Sequence, residues 1–326
     1  MLTILPGMEP PPRRQVHERV AYLGPAGTFT EEALLSQPDL ASADLVPMAT
    51  MDDVLTAAAQ DAATLAFAPI ENSIEGSVNA TLDRLVFDHD LLIQREVLLD
   101  VHLNLLAPPG AVLRDITQVL SYPVALPQCR RFLADRLPAV DTVATKSTAE
   151  AARLVAEGTV PGAAAVAPAV AAKVYGLEVV ASDIEDHPGN QTRFVAVASA
   201  GIPAATGHDR TSVVCFQRAD EPGSLLGILE QFAARSINLT RLESRPTRQG
   251  LGQYCFVLDM EGHIQDEVVA DCLRNLHTVL ERLKFLGSYP AAGPSGPEQR
   301  RQVQQGWLRA SRWVDQLRSQ VLPDAR

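Results

Sequence analysis

Asn190, Gln191, Thr192 and Arg193 place four polar groups at the start of a short apolar run, Phe194-Val195-Ala196-Val197, which reads as a β-strand. Pro188 and Gly189 break structure just ahead of them. A polar knot at the mouth of a buried strand is where α/β proteins place ligand chemistry, although a plain loop entering an edge strand looks the same. Glu71, Asn72 and Ser73 obey the same rule. They lie just past Thr64-Leu65-Ala66-Phe67-Ala68, a near-continuous apolar strand of the kind buried on both faces. Glu71 alone also fits a solvated helix-capping carboxylate. A third group is Gly24-Pro25-Ala26-Gly27, between the strand Val20–Leu23 and a helix opening at Thr28. Thr28 and Glu31 have capping-box spacing. First-turn amides and the helix dipole then face the turn, a seat for an anion. The turn lacks the Walker lysine and the full dinucleotide fingerprint, so a carboxylate suits it better than a nucleotide, and a tight turn without a ligand remains open.

The elements that must position these groups alternate as strand and helix. Leu45–Pro47 precedes a helix capped by Thr50. Leu91–Leu99 and Leu103–Ala107 are strands, and Val119-Leu120-Ser121 ends in Tyr122-Pro123. Gln128 falls on the first turn of a helix from Leu126 to Leu137. Ser147 and Glu150 repeat the capping-box spacing before an Ala-rich helix, and Ala163–Ala167 is another apolar strand. This rhythm predicts an α/β fold with mainly parallel sheets. After a small, polar linker the order becomes strand, helix, two strands, helix, strand. That is βαββαβ, the ferredoxin-like unit. A helix from Gln302 to Leu317 carries Trp307 and Trp313, whose spacing shares a face only loosely.

The totals narrow the function. With 326 residues the chain has room for two or three domains. Net charge is −11 with no compensating Lys/Arg block, which argues against nucleic acid as a partner. No apolar run is long enough to span a bilayer, and the start, Pro-rich and polar to about Glu18, shows no signal peptide. Met8 is a second candidate start. Cys129, Cys215, Cys255 and Cys272 lack metal-ligand spacing and read as reduced core thiols of a cytoplasmic protein. No metal is expected.

GPAGTFTEEA, APIENSIEGSVNATLDRL, SYPVALPQCRRFL, KSTAEAARLV and GNQTRFVAV occur in this order. They resemble the five signatures of prephenate dehydratase. PGSLLGIL and NLTRLESRP resemble those of its regulatory ACT domain. The resemblance covers roughly residues 19 to 289. It implies a two-lobed catalytic domain like a periplasmic binding protein, joined by crossing strands, with the substrate in the cleft. The expected boundaries are a disordered tail at 1–18 and the catalytic domain at 19–199. Within the latter, lobe 1 takes about 19–98 and 181–199, and lobe 2 about 99–180. A linker at 200–209, the ACT domain at 210–290 and a linker with the C-terminal helix at 291–326 complete the chain. No room is left upstream for a fused chorismate mutase domain.

The implied reaction is conversion of prephenate to phenylpyruvate without a cofactor. The implied catalytic residues are Thr192, Glu71, Asn72, Ser121, Gln128 and Arg193, with Gly27, Thr28, Ser73 and Phe194 contacting substrate. Phenylalanine is the implied effector, bound by Gly223, Ser224, Leu225, Leu226, Asn238, Leu239, Glu243 and Ser244 where two ACT domains pair, in a homodimer or a tetramer built from it. Two positions depart: Tyr122 stands where the family usually has His, and Val124 where it often has Gln. No His is therefore available there as a proton donor.

The residue types suit this chemistry. A polar, uncharged seat favours decarboxylation, because a tightly paired cation would stabilise the ground state more than a transition state whose charge is dispersing. Asn72, Ser121, Gln128 and Thr192 are neutral donors. Thr192 fits a hydrogen-bond donor that strengthens as charge builds on the leaving oxygen, with the proton supplied through Glu71 or a water. On an extended segment Thr192 and Phe194 share a face and Arg193 points away. Arg193 then reaches the pyruvyl carboxylate only if the knot is bent, and otherwise ties the two lobes together. Arogenate dehydratase remains open as a near relative in activity. A non-catalytic amino-acid or carboxylate sensor is the rival from another class, against which the intact Thr192-Arg193-Phe194 counts.

Overall fold

The computed structural model describes residues 18–248, 250, 252–293 and 298–320. Residues 1–17 of the predicted tail with Met8, Gln249 of the turn before Gly250, and residues 294–297 and 321–326 of the predicted C-terminal segment lie outside them. Three sheets organise the chain. The first takes β1 (Arg19–Leu23), β2 (Asp44–Met48), β3 (Leu65–Asn72), a two-residue β4 (Gly76–Ser77) and β5 (Leu92–Asp100). The second holds β6 (Asn104–Ala107), β7 (Gln118–Ser121), β8 (Asp141–Ala144), β9 (Ala163–Ala167) and β10 (Glu178–Ala181). The chain then returns to the first sheet as β11 (Gln191–Ala198), which inserts between β3 and β5. The third sheet, β12 (Asp209–Phe216), β13 (Leu239–Pro246), β14 (Tyr254–Glu261) and β15 (Arg282–Pro290), has the order β13-β14-β12-β15. With helices Ser224–Ala233 and Glu267–Val279 it makes the βαββαβ unit.

The expectation of mainly parallel sheets needs correction. β1 pairs parallel with β2 and β3, and β7 with β8 and β9. β11 runs antiparallel to both β3 and β5, and β6 antiparallel to β9 and β10. A chain that crosses between lobes and comes back necessarily meets its own strands head to tail.

Alternation assigns the two faces of the first sheet. Val20, Tyr22, Phe67, Phe194 and Ala196 pack on one side with Ala33, Leu34 and Leu40. Ala21, Ala66, Ala68, Val195 and Val197 pack on the other, in a core shared with Val214, Phe216, Cys255, Val257, Leu286 and Tyr289 of the third sheet. Lobe 1 and the C-terminal unit thus share one continuous core. The second sheet has separate cores on its two faces.

All four cysteines are buried free thiols, and burial pushes Cys129 and Cys215 up to about 12, so both stay protonated at neutral pH. In the C-terminal helix Glu298–Arg318, Trp307 packs on the core beneath Glu267–Val279 while Trp313 is exposed. No helix among the described residues is long and apolar enough to cross a membrane.

Candidate active site

A cavity of about 500 Å³ opens between the lobes, with Thr28, Phe29, Thr30, Asn72, Glu75 and Thr192 among the lobe 1 side. Tyr122, Gln128, Lys146, Ser147 and Thr148 belong to lobe 2, and Asn190 sits where the chain crosses back. Apolar Leu23, Val78, Val101 and Leu103 complete the wall.

One irregularity in the β3–β11 ladder decides what reaches this cavity. Phe194 pairs with Pro69, but Arg193 pairs with Glu71, so Ile70 is an extra residue. Such a bulge reverses which side chains face which way beyond it. Asn72 therefore comes to the face of Thr192, and the two side chains bond across the ladder. Glu71 is carried to the opposite face with Arg193.

The Asn72 amide is fixed at both ends. Its Oδ1 accepts from the backbone N–H groups of Ile74 and Glu75, each at 2.9 Å. Its Nδ2 donates to Thr192 Oγ1 at 2.9 Å and to Asn190 Oδ1 at 2.8 Å. Among the described residues Asn72 is the only hydrogen-bond partner of the Thr192 hydroxyl. Thr192 Oγ1 is thus an acceptor from Asn72, which leaves its own proton to donate into the cavity. Asn190 continues the network by donating from Nδ2 to Gln128 Oε1 at 3.1 Å, and Gln128 Nε2 donates to Val124 O at 3.2 Å. Lobe 1, the crossing segment and lobe 2 are joined through neutral amides.

Two helices begin at the cavity from opposite lobes. Thr28 caps Phe29–Leu35 by accepting from Glu31 N at 3.4 Å, and Ser147 caps Thr148–Ala156 by accepting from Glu150 N at 3.0 Å. The reciprocal bonds differ from the expected capping boxes. Glu31 accepts from Gly27 N and Glu150 from Lys146 N, each one residue upstream of the cap. The acid is thereby kept on the helix shoulder, and first-turn amides still face the gap. Lys146, exposed, adds a cation on the lobe 2 side.

Of the residues expected here, Thr28, Asn72, Gln128 and Thr192 converge. The others are placed elsewhere, each for a visible reason. Ser121 is fully buried and donates to Val166 O at 2.7 Å, a bond between neighbouring strands of lobe 2. Phe194 is core, its ring stacked on Phe67 at 5.3 Å. Gly27, at φ +84, holds open the contact between lobes, since a Cβ there would come within 2.9 Å of the Tyr175 ring. Ser73 supports the crossing segment, accepting from Gln191 N at 2.9 Å.

Glu71 and Arg193 face the third sheet. The Arg193 guanidinium contacts Glu71 at 3.0 Å, Glu96 at 3.2 Å and Asp259 at 2.7 Å. Burial pulls its pKa down, but Asp259, Glu96 and Glu71 outweigh this and hold it charged. The expectation that Arg193 ties the two lobes together is thus replaced by a tie from lobe 1 to the C-terminal unit. Glu71, turned from the cavity, is in no position to hand a proton to a ligand there. Tyr122, Lys146 and Thr148 line the cavity beyond the residues expected there, and Asn190 joins it from the polar knot. Lys146 and Thr148 stand inside KSTAEAARLV, and Tyr122 at the position where the sequence departs from the family pattern.

The expected effector residues also divide. Gly223 adopts φ +91 as the cap before Ser224–Ala233. Leu226, Asn238 and Ser244 are exposed, and β13 is an edge strand. Leu225 and Leu239 pack inward. Ser224 donates to Gln217 Oε1 and Asn238 to Glu261 Oε1. Glu243 is turned to the catalytic domain, where it accepts from Ser77 and pairs with Arg241 and Arg245. It is therefore committed within the chain.

Two α/β lobes around a cleft whose largely apolar wall carries a fixed Asn72–Thr192 pair, and a βαββαβ unit docked on one lobe, define a small-molecule enzyme of binding-protein fold with an ACT regulatory domain. The prephenate dehydratase family model matches residues 20–201 and the ACT domain model residues 211–278. The chain belongs to the prephenate dehydratase family. A curated prephenate dehydratase of Mycolicibacterium vanbaalenii is 45% identical over 291 residues, 85% of this chain and 92% of that one. The crystal structure of prephenate dehydratase from Arthrobacter aurescens in complex with L-Phe aligns with a TM-score of 0.82. It is 40% identical and covers 92% of this chain and 99% of that one. GqqA, reported as a novel type of quorum quenching acylase, aligns at a TM-score of 0.75 with 30% identity, over 84% and 98% of the two chains.

Proposed function

We propose that this chain is a cytoplasmic lyase converting prephenate to phenylpyruvate, with Thr192 donating to the departing ring hydroxyl. The observation that carries this is the Asn72–Thr192 bond at 2.9 Å, which occupies the threonine oxygen as acceptor and leaves its proton for the cavity. Fold alone does not name a reaction, and an acylase shares this one, so the assignment stands on these residues. Prephenate is a dicarboxylate, and the cleft offers helix starts from both lobes plus Lys146. One carboxylate is held there. The other, over the neutral amide network, leaves as carbon dioxide. Its electron pair enters the ring, which becomes aromatic as the ring C–O bond breaks, and the departing oxygen, held by the Thr192 hydroxyl, takes up a proton from the solvent and leaves as water.

Phenylalanine is the proposed effector, bound where the exposed β13 edge and the Gly223 turn meet a second copy. An unpaired strand edge is a ready pairing surface, and the Arthrobacter relative carries L-Phe. Glu243 then acts from behind the site, through Ser77, rather than as a ligand.

The test is to offer prephenate and arogenate to the pure protein and follow the aromatic product, phenylpyruvate by its absorbance in alkali. Thr192→Ala should lower kcat with prephenate by about 10²–10³, as for loss of one preorganised donor, with a smaller change in KM. Normal turnover by Thr192→Ala, or turnover of arogenate alone, overturns the reading.

A further inference from the structure

We propose that Asp259, Arg193 and Glu71 form a positioning relay through which the ACT sheet holds the Asn72–Thr192 pair in register. This rests on Thr192 being the donor. Thr192 and Arg193 are adjacent on β11 and face opposite ways, and their ladder partners on β3 are Asn72 and Glu71. On the cleft face the side-chain link is Asn72 to Thr192. On the other face it is Glu71 to Arg193, 3.1 Å from Oε2 to Nε. These two pairs lie beyond the Ile70 bulge, where the ladder resumes and Ser73 N donates to Gln191 O at 2.9 Å, so the side-chain links act with the backbone to fix which groups each face presents.

Arg193 is anchored in turn from the third sheet. Its Nη2 donates to Asp259 Oδ2 on β14 at 2.7 Å, while Ser212 Oγ on β12 donates to Asp259 Oδ1 at 2.6 Å. Glu96 on β5 joins both sides, accepting from Arg193 Nη1 at 3.2 Å and from Arg210 Nη1 at 2.5 Å. The side chains of Arg193, Glu96 and Asp259 are 7%, 1% and 3% exposed, so solvent cannot replace a lost partner. A small shift of the ACT sheet therefore moves Arg193, and with it the residue beside it that carries the donor. Effector binding at the ACT domain acts on the chemical step by this route, and by linkage the cleft acts back on the effector.

The experiment uses the full chain and prephenate. Glu71→Gln and Asp259→Asn should each lower kcat about tenfold with KM within about twofold, and shift the half-maximal phenylalanine concentration. A structural staple would lower the melting temperature without that split. Glu71 is 40% exposed and tolerates the change, so Glu71→Gln decides the matter if Asp259→Asn does not fold. Thr192→Ala is measured alongside. If it loses activity while Glu71→Gln keeps wild-type kcat and wild-type phenylalanine response, the relay is wrong and the donor stands. If Thr192→Ala is itself normal, the donor reading falls and takes the relay with it.

Discussion

Asn190 is the residue whose replacement most directly probes the amide network, because it touches both lobes without being the donor. It is 4% exposed. Asn190→Ala removes the bonds from Asn72 and Ser73 and the bond to Gln128. At about 1 kcal/mol net for each, stability should fall by about 3 kcal/mol. The effect on turnover should be smaller than that of losing Thr192. Asn72 keeps its two Oδ1 anchors to Ile74 N and Glu75 N, so its plane stays set and it still donates to Thr192. We expect kcat to fall about tenfold, roughly 1.4 kcal/mol in barrier. KM should rise about fivefold, because the bond to Gln128 is what this residue contributes to holding the lobes together. Phenylpyruvate formation gives both constants, and thermal unfolding gives the stability. Wild-type kcat, KM and melting temperature together would refute the network. A loss of kcat as large as that of Thr192→Ala would show that Asn190, not Asn72, orients the donor.

Two further outcomes follow from residues the structure moved or constrained. Ser121→Ala should cost about 1–2 kcal/mol of stability for its buried bond to Val166 O, with kcat unchanged, as seen by steady-state kinetics beside a melt. Acid should weaken the docking of the ACT domain. Burial pushes the Asp259 and Glu243 carboxyls up, but Arg193 for the first and Ser77 with Arg241 and Arg245 for the second outweigh it and hold both below the usual range. A depressed carboxyl contributes stability fully present above its unfolded value near pH 4 and lost as pH falls through its folded value. Melting temperature should therefore drop below about pH 4, and drop less steeply in Asp259→Asn.

Much of this was legible in the chain. Alternation along Thr192-Arg193-Phe194 put the threonine and the arginine on opposite faces, and the βαββαβ rhythm defined the third sheet. The facing of Glu71 was not legible. Ala66-Phe67-Ala68-Pro69-Ile70 is apolar at every position, so its pattern carries no register, and one extra residue at Ile70 turned Glu71 away from the cleft. Ser121 misled because a motif locates a hydroxyl on a strand end without saying which side it faces. Nor did sequence show that lobe 1 and the ACT sheet share a core. For that reason a chain ending near Ala200 would bare Val195 and Val197 and leave Arg193 without Asp259. It should unfold rather than merely lose regulation.

The late arrival of β11 has a consequence for how the protein is made. Chains emerge from the ribosome N-terminus first, and domains complete as their residues become available. Lobe 2 is continuous from β6 to β10 and can close on its own. Lobe 1 cannot, because among the described residues β11 is the one strand that β5 pairs with, and β3 waits for the same strand. Until residues 191–198 are out, the nascent chain carries a half-built sheet with two open strand edges flanking an empty slot, an invitation to wrong pairing. The strand that fills the slot carries Thr192 and Arg193. Closing the lobe, bringing Thr192 to the cleft and presenting Arg193 to the last domain thus all wait on the same strand.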